Sequence, residues 1–212
     1  MASVRREGSD QGVGGFPHGR VPASVRSEQL LDVAERLFAT TGYAATSIEA
    51  IATKAGVTRP VVYEHFGSKD GIYLACLRRA RGQLETMMFE AMATASDLRA
   101  QIERGADAYF RFVESDPQRW RVLFGGDAAV SGAVAEEAMQ LHLATERRFV
   151  ALLAGTPAGE DEQRALAFAH AVGGAAHQLA QFWLRTEGIS REQVVEWYCA
   201  VTWEGLRGLV GR

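Results

Sequence analysis

The chain has 212 residues, 47% of them apolar and 23% charged, with a net charge of −3; this is the balance of an ordinary globular protein of one large domain or two small ones. It contains no run of about 18 apolar residues that would span a membrane, and no apolar stretch follows Arg5 and Arg6 to make a signal peptide. Its two cysteines, Cys76 and Cys199, are too few and too far apart for a disulfide framework, so a reduced, cytoplasmic setting is expected.

Charge is uneven along the chain, at +1 over residues 1–23, +2 over 24–82 and −6 over 83–212. A positive front and an acidic rear suit a head that meets phosphate and a body that does not, although chance scatter gives differences of this size too. Residues 1–25 are rich in Gly, Ser, Arg and Pro and lack a hydrophobic period, which predicts a flexible arm. Its Arg5, Arg6 and Arg20 either touch DNA or belong to a tail with no role.

A first helix is expected from Ser27 to Thr40. Leu30, Leu31, Ala34, Leu37 and Phe38 recur at helical spacing, with Glu28, Asp32, Glu35 and Arg36 opposite. Gly42 ends it. Thr46-Ser47-Ile48-Glu49 then reads as a capping box with Thr46 as N-cap. A two-turn helix with Ile48, Ile51 and Ala52 facing inward follows, and Gly56 marks a reversal. Thr58 caps a third helix, with Pro60 tolerated in its first turn. Gly67 breaks that helix and Ser68 caps a long fourth one. Two short helices split by a glycine turn are the punctuation of a helix-turn-helix, although many small helical domains carry similar turns and merely pack.

From Leu37 to Asp70 the stretch LFATTGYAATSIEAIATKAGVTRPVVYEHFGSKD resembles the DNA-binding head of the TetR family of bacterial transcriptional regulators, over more than thirty positions without a gap. The rest of the chain agrees with that family only in being helical. The resemblance implies that the third helix enters a major groove and that the domain works beside a twin. Thr58, Arg59, Pro60, Val61 and Tyr63 then lie on or beside the groove-facing side. Arg59 is the candidate base reader, because a guanidinium can bond guanine in bidentate fashion, and Pro60 and Val61 offer apolar contact to a thymine methyl. Tyr63, His65 and Lys69 match positions that grip the phosphate backbone, and His65 has a second reading as a link to the head core. Thr46 and Ser47 would present a hydroxyl and free amides to a phosphate. Glu64 would be repelled beside the backbone, so it either points away, the favoured reading, or accepts from a cytosine amino group. Phe38, Tyr43, Ile51, Val57, Val62 and Phe66 are expected to pack.

The fourth helix is expected to run from Asp70 to Ala95, passing from head to body. Ser96 caps a fifth helix that reaches about Glu114, and Asp116-Pro117 opens a short sixth. Further helices are expected over about 127–154, 161–187 and 190–210, the last opened by a capping box at Ser190 to Gln193. No strand pattern appears, so the predicted fold is all-α with about nine helices. It divides into the arm (1–25), a helix-turn-helix domain (26–72) and a ligand-binding and dimerisation domain (73–212).

The penultimate helix is apolar on more than half its circumference. With the last helix it resembles the family's dimer interface, for which Val172, Gly173, Ala176, Ala180, Trp183, Val194, Tyr198, Val201 and Gly205 are the candidates. Trp203 falls off the apolar stripe and suggests a partner surface. His170, His177 and Gln181 make a polar ribbon with four open readings: pocket lining, bonds across a dimer, a metal site with His142, or structural use. The middle helices carry more aromatic and thioether surface than a minimal bundle needs. Met88, Phe89, Met92, Tyr109, Phe112, Trp120, Phe124 and Phe149, together with His142 and His177, are the candidates for an apolar ligand pocket, with plain core as the competing reading.

No nucleophile-base arrangement, phosphate loop or HExxH occurs, so no enzyme, cofactor or metal is expected. The sequence points to a homodimeric repressor, released from a palindromic DNA operator by a small, mostly apolar ligand of unknown identity. An activator is the alternative, as is a helical ligand-binding or interaction protein that has lost DNA binding.

Overall fold

Nine helices and no strand occur among the described residues of the computed structural model, which are 22–124, 132–152 and 160–210. They are α1 (Ala23–Ala45), α2 (Ile48–Ala55), α3 (Arg59–Phe66), α4 (Lys69–Ala93), α5 (Leu98–Ser115), α6 (Pro117–Phe124), α7 (Ala133–Leu152), α8 (Glu162–Trp183) and α9 (Arg191–Val210). None of them is long and apolar enough to cross a membrane. The all-α architecture is as expected.

Pro22, with φ of −53°, sits at the N-cap of α1, so the helix begins at Ala23 and takes in the last three residues of the expected arm. The remainder of that arm, with Arg5, Arg6 and Arg20, lies outside the described residues. The helical run of α1 breaks at Gly42 (φ 79°, ψ 167°). Just beyond it, Thr46 is not the N-cap of α2. Its hydroxyl turns back to Gly42 O at 2.7 Å and to Thr41 Oγ1 at 2.9 Å, and the residue is only 2% exposed. Ser47 takes the cap instead, accepting from the Ala50 amide at 3.0 Å. The same one-residue shift occurs at α5, where Asp97, not Ser96, accepts from Ala100 N at 2.9 Å. In both places the capping side chain reaches forward to the third amide. Elsewhere the expected punctuation is present. Ser68 caps α4, Asp116 caps α6, and Ser190 and Gln193 exchange hydrogen bonds in a reciprocal box.

The head core packs Leu30, Ala34, Ile51, Val62 and Ile72 with almost no exposure, and Val122 of α6 and Val134 of α7 belong to the same cluster. A second cluster surrounds Phe110, Val113, Ala180 and Val194. Helix α4 joins the two, contributing Leu77 to the first and Leu84 to the second. The joint between α3 and α4 is tight. A Cβ on Gly71 would stand 2.0 Å from the Phe66 carbonyl oxygen, so a glycine is required there.

Charge also holds head to body. Glu35 of α1, expected on the polar face of its helix, is 4% exposed. Its carboxylate accepts from Arg79 Nε of α4 at 2.9 Å and from Arg119 Nε of α6 at 2.9 Å. Arg79 also reaches Glu28 at 2.7 Å and Asp32 at 2.8 Å, and Arg119 reaches Asp116 at 3.3 Å. Burial acts to lower the Arg79 pKa, but the hydrogen bonds it donates to Glu35 and Glu28 outweigh it and hold the guanidinium firmly charged. Removing one member of a buried pair strands the other charge. Glu35→Ala is therefore expected to lower stability by about 3–5 kcal/mol, read as a fall in the urea midpoint, whereas Glu28→Ala at the exposed rim should cost less than about 1 kcal/mol.

Candidate nucleic-acid interface and ligand cavity

Helix α3 has one buried side and one open side. Val62 is fully buried, whereas Thr58, Arg59, Pro60 and Tyr63 are exposed and Val61 is partly so. Thr58 is the N-cap of α3 but spends no side-chain hydrogen bond on capping. The Arg59 guanidinium lies 3.9 Å from Glu49 of α2, with both side chains mostly exposed, so the pair is loose and solvent-screened. Ser47 and Glu64 are exposed, and His65 is half-buried with its ring 6.0 Å from that of Phe66. Thr46 is the exception among the candidates, because burial and its bond to Gly42 remove its hydroxyl from any phosphate.

Lys69 opens α4 beside this surface. Its ammonium donates to Ala44 O at 3.1 Å and sits 4.3 Å from the centre of the Tyr43 ring. Tyr43 packs on Phe38 and Tyr73, as expected, and its hydroxyl donates to Asp70. Burial, reinforced by Asp70, pushes its phenol up to about 12. Lys69 is thus tethered to the α1–α2 junction, with its position set by an aromatic shelf.

The body holds a mostly apolar cavity of about 180 Å³. Helix α4 lines it with Leu84, Met88 and Met92, α5 with Tyr109 and Phe110, α6 with Phe124, α7 with Phe149, α8 with Phe168 and Val172, and α9 with Tyr198. Met88, Met92, Tyr109, Phe124 and Phe149 were expected there. Phe89, Phe112, Trp120 and His177 were expected too and do not line it. Phe89 stacks behind Phe149 at 5.3 Å, under the Arg148 guanidinium. Phe112 faces an open groove shared with Arg79 and Arg119. The Trp120 indole donates to the Tyr109 hydroxyl at 2.8 Å, behind the cavity wall. His177 stacks on Trp120 at 5.5 Å and lies 3.0 Å from Gln181. His170 goes elsewhere, to Glu146 Oε1 at 2.8 Å, so the histidine ribbon is split between two partners. The side chain of His142 lies outside the described residues.

Five polar residues on the wall were not expected: Arg81, Glu85, Gln101, Thr145 and Glu146. Arg81 Nη1 donates to Thr145 Oγ1 at 2.7 Å, and Thr145 in turn bonds Glu85. Burial pulls the Arg81 guanidinium below its ordinary pKa, with Glu85 and Glu146 acting against that. A signal was present in the sequence, because Arg81 stands on the apolar stripe of α4, four residues from Leu77 and three from Leu84.

The expected dimer residues divide. Ala176, Ala180, Val194 and Tyr198 are buried within the subunit. Val172 and Gly173 line the cavity beside Ala176 and Tyr198. The Trp183 indole donates to Ile189 O at 2.9 Å and meets Phe110 edge-on. Trp203 packs near Phe168 and Ile102, with Arg99 over its ring, and is not an open partner surface. The exposed face of α8 and α9 instead carries Phe182, Trp197 and Val201, the last 70% exposed, and Gly205 is also exposed. Phe182 and Trp197 were not among the expected interface residues.

Residues 30–76 match the family described as "Bacterial regulatory proteins, tetR family". The chain is 33% identical over 208 residues to the "HTH-type transcriptional activator FasR" of Mycolicibacterium smegmatis, covering 96% of this chain and 94% of the relative. A TetR-like transcriptional regulator from Rhodococcus sp. RHA1 is 28% identical, with a TM-score of 0.68 over 89% of this chain and 100% of that one. The "fatty acid degradation regulator FadR" from Bacillus halodurans shares the fold with a TM-score of 0.73 at 16% identity, over 89% and 98% of the two chains.

The Tyr109–Trp120 bond fixes the cavity wall. Tyr109→Phe leaves a buried indole N–H unpaired and is expected to cost about 1–3 kcal/mol, measured by denaturant unfolding followed on tryptophan fluorescence.

Proposed function

Because the chain belongs to the tetR family of bacterial regulatory proteins, and so is a DNA-binding regulator of transcription and not an enzyme, we propose that it acts in the cytoplasm as a ligand-responsive homodimer on a palindromic operator. In this reading residues 26–72 meet the DNA, and residues 73–212 hold the ligand and the dimer contact. The observation that carries it is the two-sided α3: Val62 fills the head core while Arg59, Pro60 and Tyr63 stand clear of it.

Arg59 is the base reader, and Thr58, Pro60 and Val61 complete the groove contact. Ser47, Tyr63, His65 and Lys69 hold phosphates, and Thr46 has no part. Two heads about 34–36 Å apart fit successive major grooves. The exposed face of α8 and α9, centred on Phe182, Trp197 and Val201, supports pairing with a second copy. A mostly apolar ligand in the cavity beside α4 releases the DNA by preferring the head spacing that does not match the operator. For the sign of regulation, a repressor is the first reading. Activation is the second, favoured by the name of a relative that matches over 94% of its length.

A gel shift on the protein's own upstream region tests the DNA reading. Arg59→Ala should lose about 1–3 kcal/mol of discrimination between specific and random duplex, whereas Lys69→Ala should weaken both alike and lower the salt slope by about one. Equal losses for Arg59→Ala on both duplexes would remove it as base reader. Val201→Glu should halve the mass seen by light scattering; an unchanged dimer would exclude the α8–α9 face.

A further inference from the structure

Lys69 opens α4, where a cation meets the positive end of the helix dipole. A placement against a local rule needs a compensating gain. The way the side chain is held suggests what that gain is. Its ammonium donates to Ala44 O at 3.1 Å and stands 4.3 Å from the centre of the Tyr43 ring. Both partners are uncharged, since burial pushes the Tyr43 phenol up to about 12. Cations of the body are held by acids instead, Arg78 by Glu137, Arg111 by Asp107 and Arg148 by Glu85. A carboxylate partner cancels much of a cation's field. A carbonyl and a ring face orient the cation and leave its full charge for an incoming phosphate. The donor count also fits, because an ammonium has three N–H groups. Ala44 takes one and the ring face at most one more.

Tyr43 is fixed in turn. Its ring centre lies 6.2 Å from that of Phe38 on α1 and 4.9 Å from that of Tyr73 on α4, and both of these residues are buried. Its hydroxyl donates to Asp70, the residue next to Lys69. One aromatic side chain thus joins the end of α1 to the first turn of α4 and carries the ammonium between them. A lysine free in water gives up rotamer freedom when it meets a phosphate. Here that loss falls at folding instead of at binding.

We infer that Tyr43 is a positioning residue for DNA binding: its ring face holds the Lys69 ammonium, fully charged, where the phosphate backbone meets it, and Tyr43 itself touches no DNA. This rests on the reading of Lys69 as a phosphate contact. The ring carries the effect, and Phe38 and Tyr73 seat it even without the hydroxyl.

The test is fluorescence anisotropy of the full chain on a dye-tagged random-sequence duplex over a range of salt concentrations, since phosphate contacts carry no sequence information. Tyr43→Phe keeps the ring and should bind within about twofold of the unaltered protein. Replacing Tyr43 with trifluorophenylalanine keeps the shape and removes most of the negative ring face. It should weaken binding about two- to fivefold relative to Tyr43→Phe. In a Lys69→Ala background, whose salt slope falls by about one, the two rings should bind alike. Thermal melts confirm the fold of each protein. Equal affinities for the two rings in the presence of Lys69 would overturn the inference. So would a loss already complete in Tyr43→Phe, which assigns the effect to the hydroxyl, or a fluorine effect that persists in Lys69→Ala. Lys69→Ala binding as tightly as the unaltered protein would instead remove Lys69 as a phosphate contact, and this inference with it. Absence of binding by the unaltered protein at low salt would remove both.

Discussion

Glu35 is the point on which head and body depend. A carboxylate removed from water is tolerated only where cations and donors replace its hydration, and here Arg79 and Arg119 arrive from two other helices to do so. That requirement fixes α1, α4 and α6 relative to one another more sharply than apolar packing does, because a guanidinium has to meet the carboxylate oxygens at hydrogen-bond distance and in plane. The cluster of Leu30, Ile72, Leu77 and Val122 supplies area around that point. The ion pairs supply register.

Helix α4 then carries two tasks along its 25 residues, a rise of about 37 Å. At one end Lys69 is held by Ala44 and Tyr43 beside the exposed side of α3. In the middle Arg79 points to Glu35 while Arg81, two residues on, lies on the cavity wall. The two arginines thus face different neighbours, one bonded to the head and the other on the cavity wall. An α-helix turns by 100° per residue, so a two-residue step is enough to place them on well-separated faces.

Much of the head was legible because its signals are local. Capping residues, glycine turns and the spacing of Leu30, Ala34 and Phe38 act within a few residues of one another, and misplacements such as Thr46 for Ser47 amount to one position. The body was legible as helices but not as contacts. Glu35 read as a solvent-facing residue because its partners lie 44 and 84 positions away. Apolar residues on α8 and α9 serve an internal core, a cavity wall and an outer face, and periodicity alone cannot divide them. Ala180 and Val194 went inward, Val172 went to the cavity, and Phe182 and Trp197 were left outside. Of the aromatic residues read from the middle helices, Phe124 and Phe149 line the cavity. Trp120 lies off that wall, because its indole N–H needs a buried acceptor and finds it in Tyr109.

A second physical route between cavity and head, beside α4, runs through α6. Its eight residues hold Arg119, which bonds Glu35, Trp120, which bonds Tyr109, and Phe124, which lines the cavity. A helix of about 12 Å moves as one body. A ligand that displaces Phe124 therefore has to carry Arg119 along, stretch its bond to the buried carboxylate, or stay where it is. The first two outcomes change the seat of α1, and with it the tilt of α2, which packs on α1, and of α3, which packs on α2. For that displacement to be favoured, the ligand must bind more tightly to the shifted arrangement than to the resting one, by more than the strain it puts on the Glu35 pair. A weak ligand that merely fills the cavity would leave the head unmoved, so the strength of the buried ion pair sets the threshold that an effective ligand has to exceed.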